Sequence, residues 1–220
     1  MDGTFSIAPP LFSQVYSIHA DYLSRSHPLL IGLLPNKRRT TYNAFLTEVR
    51  NLANNMIPNT IITDFEIAAI QAVGDVFPNA SRTGCFFHLT KSIRHIQGAG
   101  LHEQYENDAN FALECRMISA LAFVPPADVV GAFETLSNEL PDVLNPILDY
   151  FEDNYIGRPD RRGARRAAIF PILLWNQYDR VIHSHNRTTN SVEAWHRKIQ
   201  CLLGMVHPTI FKFIKGLASS

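Results

Sequence analysis

The 220 residues predict an α/β fold interrupted by an all-helical insertion, on three observations. The first part of the chain alternates short β-forming runs with amphipathic helical stretches. The middle shows helical spacing alone, and the end returns to a helix with charge beside its apolar stripe. Residues 4–34 read as three strands, broken at Pro9-Pro10 and again at 24–28, with Tyr16, Ile18 and the run 29–34 supplying β-forming side chains. A helix follows, because Tyr42, Phe45, Leu46, Val49, Leu52, Ala53 and Met56 recur at steps of three and four. Pro58 stops it, and residues 60–64 form a fourth strand. Ile67, Ile70 and Val73 give a second helix its buried face, Gly74 and Pro78 end it, and residues 83–87 make a fifth strand. That order, three strands, helix, strand, helix, strand, is the order of an RNase H-like sheet.

Between residues 98 and 185 the strand signal disappears. Phe111, Cys115, Ile118 and Ala122 mark one helical face; Val129, Val130, Phe133 and Leu136 mark a second, and Leu144, Ile147, Leu148 and Phe151 a third. The final segment carries the stripe Val192, Trp195, Ile199 and Leu202, with Glu193, His196, Arg197 and Gln200 on the adjoining polar face. The expected division is therefore a core over 1–97, an insertion over 98–185, and C-terminal core helices over 186–220.

Hydrophobic residues at 46% and charged residues at 18% describe a chain that buries a core, which excludes a disordered tail. The opening residues lack the pattern of a secretory leader, and the apolar runs are too short to span a bilayer, so no membrane role is expected. Cys85, Cys115 and Cys201 are scattered, with neither a disulfide framework nor a paired zinc motif. Formal net charge is zero, which argues against a chain-wide phosphate-binding surface. Basic charge is nonetheless concentrated: Arg158, Arg161, Arg162, Arg165 and Arg166 crowd one segment, either a solvated loop or a contact for phosphates.

Chemistry is carried by three acids. Asp64 ends the fourth strand, where α/β sheets usually present reactive groups. Asp2 opens the chain ahead of the first strands, and Glu193 lies at the start of the last amphipathic helix. Brought together they make a hard, oxygen-only site suited to Mg²⁺ or Mn²⁺. Capping is open for two of them. Thr63-Asp64-Phe65-Glu66 and Asn190-Ser191-Val192-Glu193 both have the spacing of a capping box. Cys85 and His88 form a Cys-x-x-His pair, read as structural or positioning because no second pair completes a metal site.

An ordered set of short matches resembles the transposase domain of Mutator-like elements (MULE). It comprises Asp2-Gly3-Thr4-Phe5, Gln14-Val15-Tyr16, Pro28-Leu29-Leu30, Leu33-Leu34-Pro35-Asn36-Lys37, Thr63-Asp64-Phe65-Glu66, Phe77-Pro78, Gly84-Cys85-Phe86-Phe87-His88, Leu174-Trp175-Asn176, Arg187-Thr188-Thr189-Asn190 and Glu193-Ala194-Trp195-His196. The resemblance implies an RNase H-like DDE fold, a mixed five-stranded sheet flanked by helices, with a helical insertion before the last catalytic helix. It implies metal-dependent DNA cleavage and strand transfer in the nucleus, with two Mg²⁺ or Mn²⁺ ions held by Asp2, Asp64 and Glu193 and two or more copies assembled on transposon ends and target DNA.

Around that triad it places Cys85, His88, Asn190 and His196 as motif residues. Arg187, Arg197, Lys198, Arg161, Arg162, Arg165 and Arg166 are the expected DNA contacts. Two departures stand out: Thr189 precedes a single Asn190 where the family commonly has two asparagines, and Tyr155 stands where a tryptophan is common. With one residue ahead of Asp2, the chain is expected to be an N-terminally truncated copy. The alternative function is a catalytically silent, transposase-derived module that binds DNA or protein.

Overall fold

The computed structural model describes residues 1–22, 25–97 and 100–218. It is a mixed α/β structure in two compact units, one made of residues 1–82 and 188–220, the other of residues 83–187. No helix among the described residues is long and apolar enough to cross a membrane.

In the first unit, β1 (Asp2–Thr4), β2 (Gln14–Tyr22) and β3 (Arg25–Leu34) form an antiparallel sheet in the order β1-β2-β3. The register sets Asp2 opposite Ser17 and Gln14 opposite Leu34. Where the sequence suggested a break over 24–28, β3 instead runs through Pro28. Ile18 pairs with Leu30 and His19 with Pro28, so Leu29 is the extra residue of a bulge. Proline is tolerated there because an edge strand at a bulge has no ladder bond for the missing N–H to make. Of that break, Ser24 lies outside the described residues, as do the first two positions of the expected insertion, Gly98 and Ala99.

Helix α1 (Arg39–Leu52) buries Tyr42 and Leu46, and α2 (Ile67–Val76) buries Ala69, Ala72, Val73 and Val76. Small side chains on α2 let the two helices approach closely over the Tyr16 side of the sheet. Between them, β4 (Thr60–Thr63) pairs with β5 (Ser81–Gly84) in a separate two-stranded sheet. The fifth strand therefore ends three residues before the sequence suggested. Cys85 closes it, and Phe86 already begins a helix.

The second unit is helical: α3 (Phe86–Gln97), α4 (His102–Asn107), α5 (Ala109–Ala120), α6 (Val129–Glu139), α7 (Asn145–Phe151), α8 (Ile172–Trp175) and α9 (Tyr178–Ile182). Asp108 starts α5 by accepting from the backbone N–H groups of Asn110 and Phe111 at 2.9 and 3.1 Å. Its core is strongly aromatic. Tyr155 stacks on Phe170, and Trp175 donates from Nε1 to the Tyr155 carbonyl at 3.0 Å. A π-helical turn (Glu152–Ile156) ends at Gly157, whose φ of +89° suits glycine alone. A Cβ there would also overlap the carbonyl of Arg166.

The chain returns to the first unit with α10 (Asn190–Leu203) and α11 (Ile210–Ala218). They cover the other side of the three-stranded sheet, where Ile7, Ala8, Val15, Ile199, Leu203 and Phe213 form a second core. The sheet is thus packed on both faces, which positions the start of β1 and the start of α10 in one unit.

Candidate functional site

Asp2 is the first residue of β1 and is buried. Its Oδ1 accepts from the Gly3 N–H at 2.9 Å, and its Oδ2 lies 3.6 Å from His196 Nδ1. The α-amino group of Met1 donates to the Ile62 carbonyl at 2.8 Å, which ties the start of the chain to β4 just ahead of Asp64. Asp64 follows that strand, half-buried, with its Oδ1 3.4 Å from the Glu66 N–H.

Glu193 sits in the first turn of α10, where the positive end of the helix dipole favours a carboxylate. One of its oxygens and one of Asp2 lie within 4.8 Å of each other. Two acids from opposite ends of the chain therefore share one place in the first unit. Asp64 lies in the same unit, directly after β4. Burial, then the charges of Asp64, Tyr42, Asp2 and Glu66, push the Tyr16 hydroxyl well above its ordinary pKa. That hydroxyl is buried with no hydrogen-bond partner.

Neither helix start has a capping bond from the side chain of its N-cap residue. Helix α2 starts at Ile67 with Glu66 as its N-cap, making no side-chain capping bond. Glu66 is engaged sideways, accepting from the Tyr42 hydroxyl at 2.9 Å and pairing with Lys37 at 3.3 Å. Helix α10 takes Thr189 as its N-cap, again without a side-chain bond, so Asn190 is already inside the helix.

The apolar stripe of α10 also differs from the sequence reading. Val192, His196, Ile199 and Leu203 are buried, whereas Leu202 is exposed and Trp195 is half-buried. His196 enters the core because partners wait for it: Nε2 lies 2.8 Å from Ser17 Oγ and Nδ1 faces Asp2. Burial, with the nearby His19 and the α-amino group, lowers its pKa to about 4. His19 is lowered to about 4 as well, by burial first and then the α-amino charge, and it meets the Trp195 ring edge-on at 5.2 Å.

Ser17, Tyr16, Tyr42, Gln14 and His19 were not among the site residues read from the sequence. For Gln14, Tyr16 and Ser17 the common feature is their place on β2, whose first four residues, Gln14 to Ser17, are all buried although Gln14 and Ser17 are polar. Gln14 donates from Nε2 to the Tyr42 hydroxyl at 2.6 Å, so a buried polar chain runs from Gln14 through Tyr42 to Glu66.

The remaining predicted residues are placed as follows. In the second unit, Cys85 is fully buried and its carbonyl accepts from the Leu89 N–H; His88 is half-buried in the first turn of α3. Arg161, Arg162 and Arg166 are exposed on the segment joined by the Pro159–Arg165 bridge. Arg165 is committed to Glu152 and Glu134 at 2.8 Å each, and Arg158 to Asp149 and Asp153. Arg187 is exposed with its guanidinium over the Phe123 ring at 5.8 Å. In the first unit, Arg197 and Lys198 are exposed one turn beyond Glu193, and Arg197 lies 3.8 Å from that acid.

No curated protein and no solved structure matches the chain. The family model described as MULE transposase domain matches residues 1–92, the stretch that carries Asp2, Asp64, Cys85 and His88.

Proposed function

We propose that this chain is the catalytic domain of a Mutator-like transposase, which cuts and joins DNA at a carboxylate site made of Asp2, Asp64 and Glu193. The observation that carries the reading is the approach of the Asp2 and Glu193 carboxylates to within 4.8 Å, in the unit that also holds Asp64. Like charges are brought that close at a cost, which a bound cation removes. The reading includes an RNase H-like sheet in which β1 lies beside β4, giving the order β3-β2-β1-β4-β5. The Met1 to Ile62 hydrogen bond supports that alignment.

The proposed donor set fits a divalent cation in its chemistry: three carboxylates, all hard oxygen ligands, two of which, on Asp2 and Glu193, lie within 4.8 Å of each other. Mg²⁺ or Mn²⁺, two ions in this reading, would supply Lewis acidity to a phosphodiester and lower the pKa of water. The chain's own contribution is to fix the ligands. Gly3 N–H and His196 orient Asp2, and the start of α10 holds Glu193. Exposed Arg197 and Lys198, together with Arg161, Arg162 and Arg166, would contact backbone phosphates without reading sequence.

A silent DNA- or protein-binding remnant is the second reading. It is favoured by the zero net charge and by the ion pairs that occupy Arg158 and Arg165. The two separate on plasmid nicking by the 220-residue chain. The catalytic reading expects nicking that needs Mg²⁺ or Mn²⁺, stops with EDTA and vanishes in Asp64→Asn. Nicking that survives EDTA or Asp64→Asn refutes it. Salt-sensitive binding without nicking favours the remnant.

A further inference from the structure

The environment of His196 goes beyond its place in a motif. Its imidazole lies between two groups from neighbouring strands, Ser17 of β2 on Nε2 and Asp2 of β1 on Nδ1. The two strands set those partners opposite each other in register. His196 and Ser17 are buried, so bulk water does not compete for either nitrogen.

The proton inventory fixes the tautomer. An ionised carboxylate only accepts, so the nitrogen facing Asp2 carries the hydrogen. In the neutral ring Nε2 then accepts, and the Ser17 hydroxyl gives its one proton to that nitrogen at 2.8 Å in place of the Asp2 carbonyl at 3.4 Å. Ser17 thus sets the ring so that Nδ1–H points at Asp2 Oδ2, while Gly3 N–H holds Oδ1. A hydrogen bond on Oδ1 and the imidazole edge facing Oδ2 at 3.6 Å together orient the carboxylate.

We infer that His196 is a positioning residue for Asp2: relayed from Ser17, it orients the carboxylate toward Glu193 and so sets the affinity of the acidic site for a divalent cation. The inference rests on the proposed metal-dependent reading of Asp2, Asp64 and Glu193. It assigns His196 to Asp2, away from DNA and from Glu193, its own neighbour one turn back on α10. Groups that orient a metal-binding side chain typically change affinity by about 10–100-fold when removed.

The test is Mn²⁺ binding to the full chain, followed by electron paramagnetic resonance of free Mn²⁺, which needs no DNA and no turnover. Two isosteric substitutions separate the two ring nitrogens. In His196→Asn the amide Nδ2 replaces Nδ1 and keeps a donor for Asp2. In His196→Gln the amide Nε2 replaces the ring's Nε2, keeping the Ser17 contact and losing the one to Asp2. His196→Gln is expected to weaken Mn²⁺ binding by about 10-fold or more, with His196→Asn within about threefold of the parent. Thermal unfolding without metal checks that both variants fold. Equal affinity in both variants, whether retained or lost, overturns the inference. If the parent chain binds Mn²⁺ no better than Asp64→Asn does, the underlying metal-site reading fails, and the inference with it.

Discussion

Tyr42→Phe is the sharpest probe of the scaffold beneath the candidate site. Tyr42 is fully buried, and its hydroxyl accepts from Gln14 Nε2 at 2.6 Å while donating to Glu66 Oε1 at 2.9 Å. Removing one oxygen leaves the Gln14 amide, itself buried, without that acceptor. A stranded buried donor costs about 1–3 kcal/mol. Loss of the bond to the Glu66 carboxylate adds about 1 kcal/mol, kept small because Glu66 retains Lys37. The expected loss is about 2–4 kcal/mol, read from urea midpoints with an unchanged slope. Gln14→Met combined with Tyr42→Phe removes both ends of the orphaned pair. The double variant is expected to be more stable than the sum of the singles predicts, by about 1 kcal/mol or more. A loss under about 0.5 kcal/mol in Tyr42→Phe, or strict additivity in the double variant, refutes the buried network.

Three further outcomes are expected. Gly157→Ala forces a side chain onto a backbone at φ +89° and into the Arg166 carbonyl, so it should lower stability by more than about 2 kcal/mol in thermal unfolding; an unchanged melting temperature contradicts this. For His19, the folded pKa of about 4 lies below the unfolded 6.5, so the unfolded chain takes up the proton first and stability present above pH 6.5 is lost as pH falls toward 4. His19→Phe removes that penalty. At pH 5 the variant should gain about 1 kcal/mol over its own difference at pH 8, an ideal figure of about 2 being discounted for solvent screening; parallel pH–stability curves count against it. Arg161→Ala and Arg162→Ala should each flatten the dependence of log K on log salt by about one for duplex DNA, measured by fluorescence anisotropy, whereas an unchanged slope removes that loop from the interface.

Much of the secondary structure was legible in the sequence because it is encoded locally. Steps of three and four marked α1, α5, α6 and α7, and β-branched residues marked β4. The errors fall where a non-local partner decides. Pro28 looked like a strand break, yet a bulge in an edge strand accommodates it. Phe86-Phe87 looked like strand, yet α3 starts there. On α10 a polarity pattern excludes His196 from the apolar stripe, since nothing near it in sequence announces Ser17 or Asp2. Asp2, Asp64 and Glu193 were each visible as acids at element ends. Tyr16 and Ser17 were not, because their importance comes from the β1–β2 register and from the charges it gathers.

The two helix starts carry a common argument. Each follows or contains an acid at a spacing suited to capping, and each forgoes the capping bond, which is typically worth about 1 kcal/mol. A chain selected for stability alone would close both boxes. Here Glu66 turns to Tyr42 and Lys37, and the Glu193 carboxylate lies against that of Asp2. Both helix starts thus place an acid beside a group distant in sequence, Tyr42 for Glu66 and Asp2 for Glu193. Conflict between local preference and tertiary placement is what a functional constraint produces. The buried, correctly paired His196 points the same way. A core histidine held only for packing has no need of a carboxylate on one nitrogen and a hydroxyl on the other, whereas one that aims Asp2 needs both.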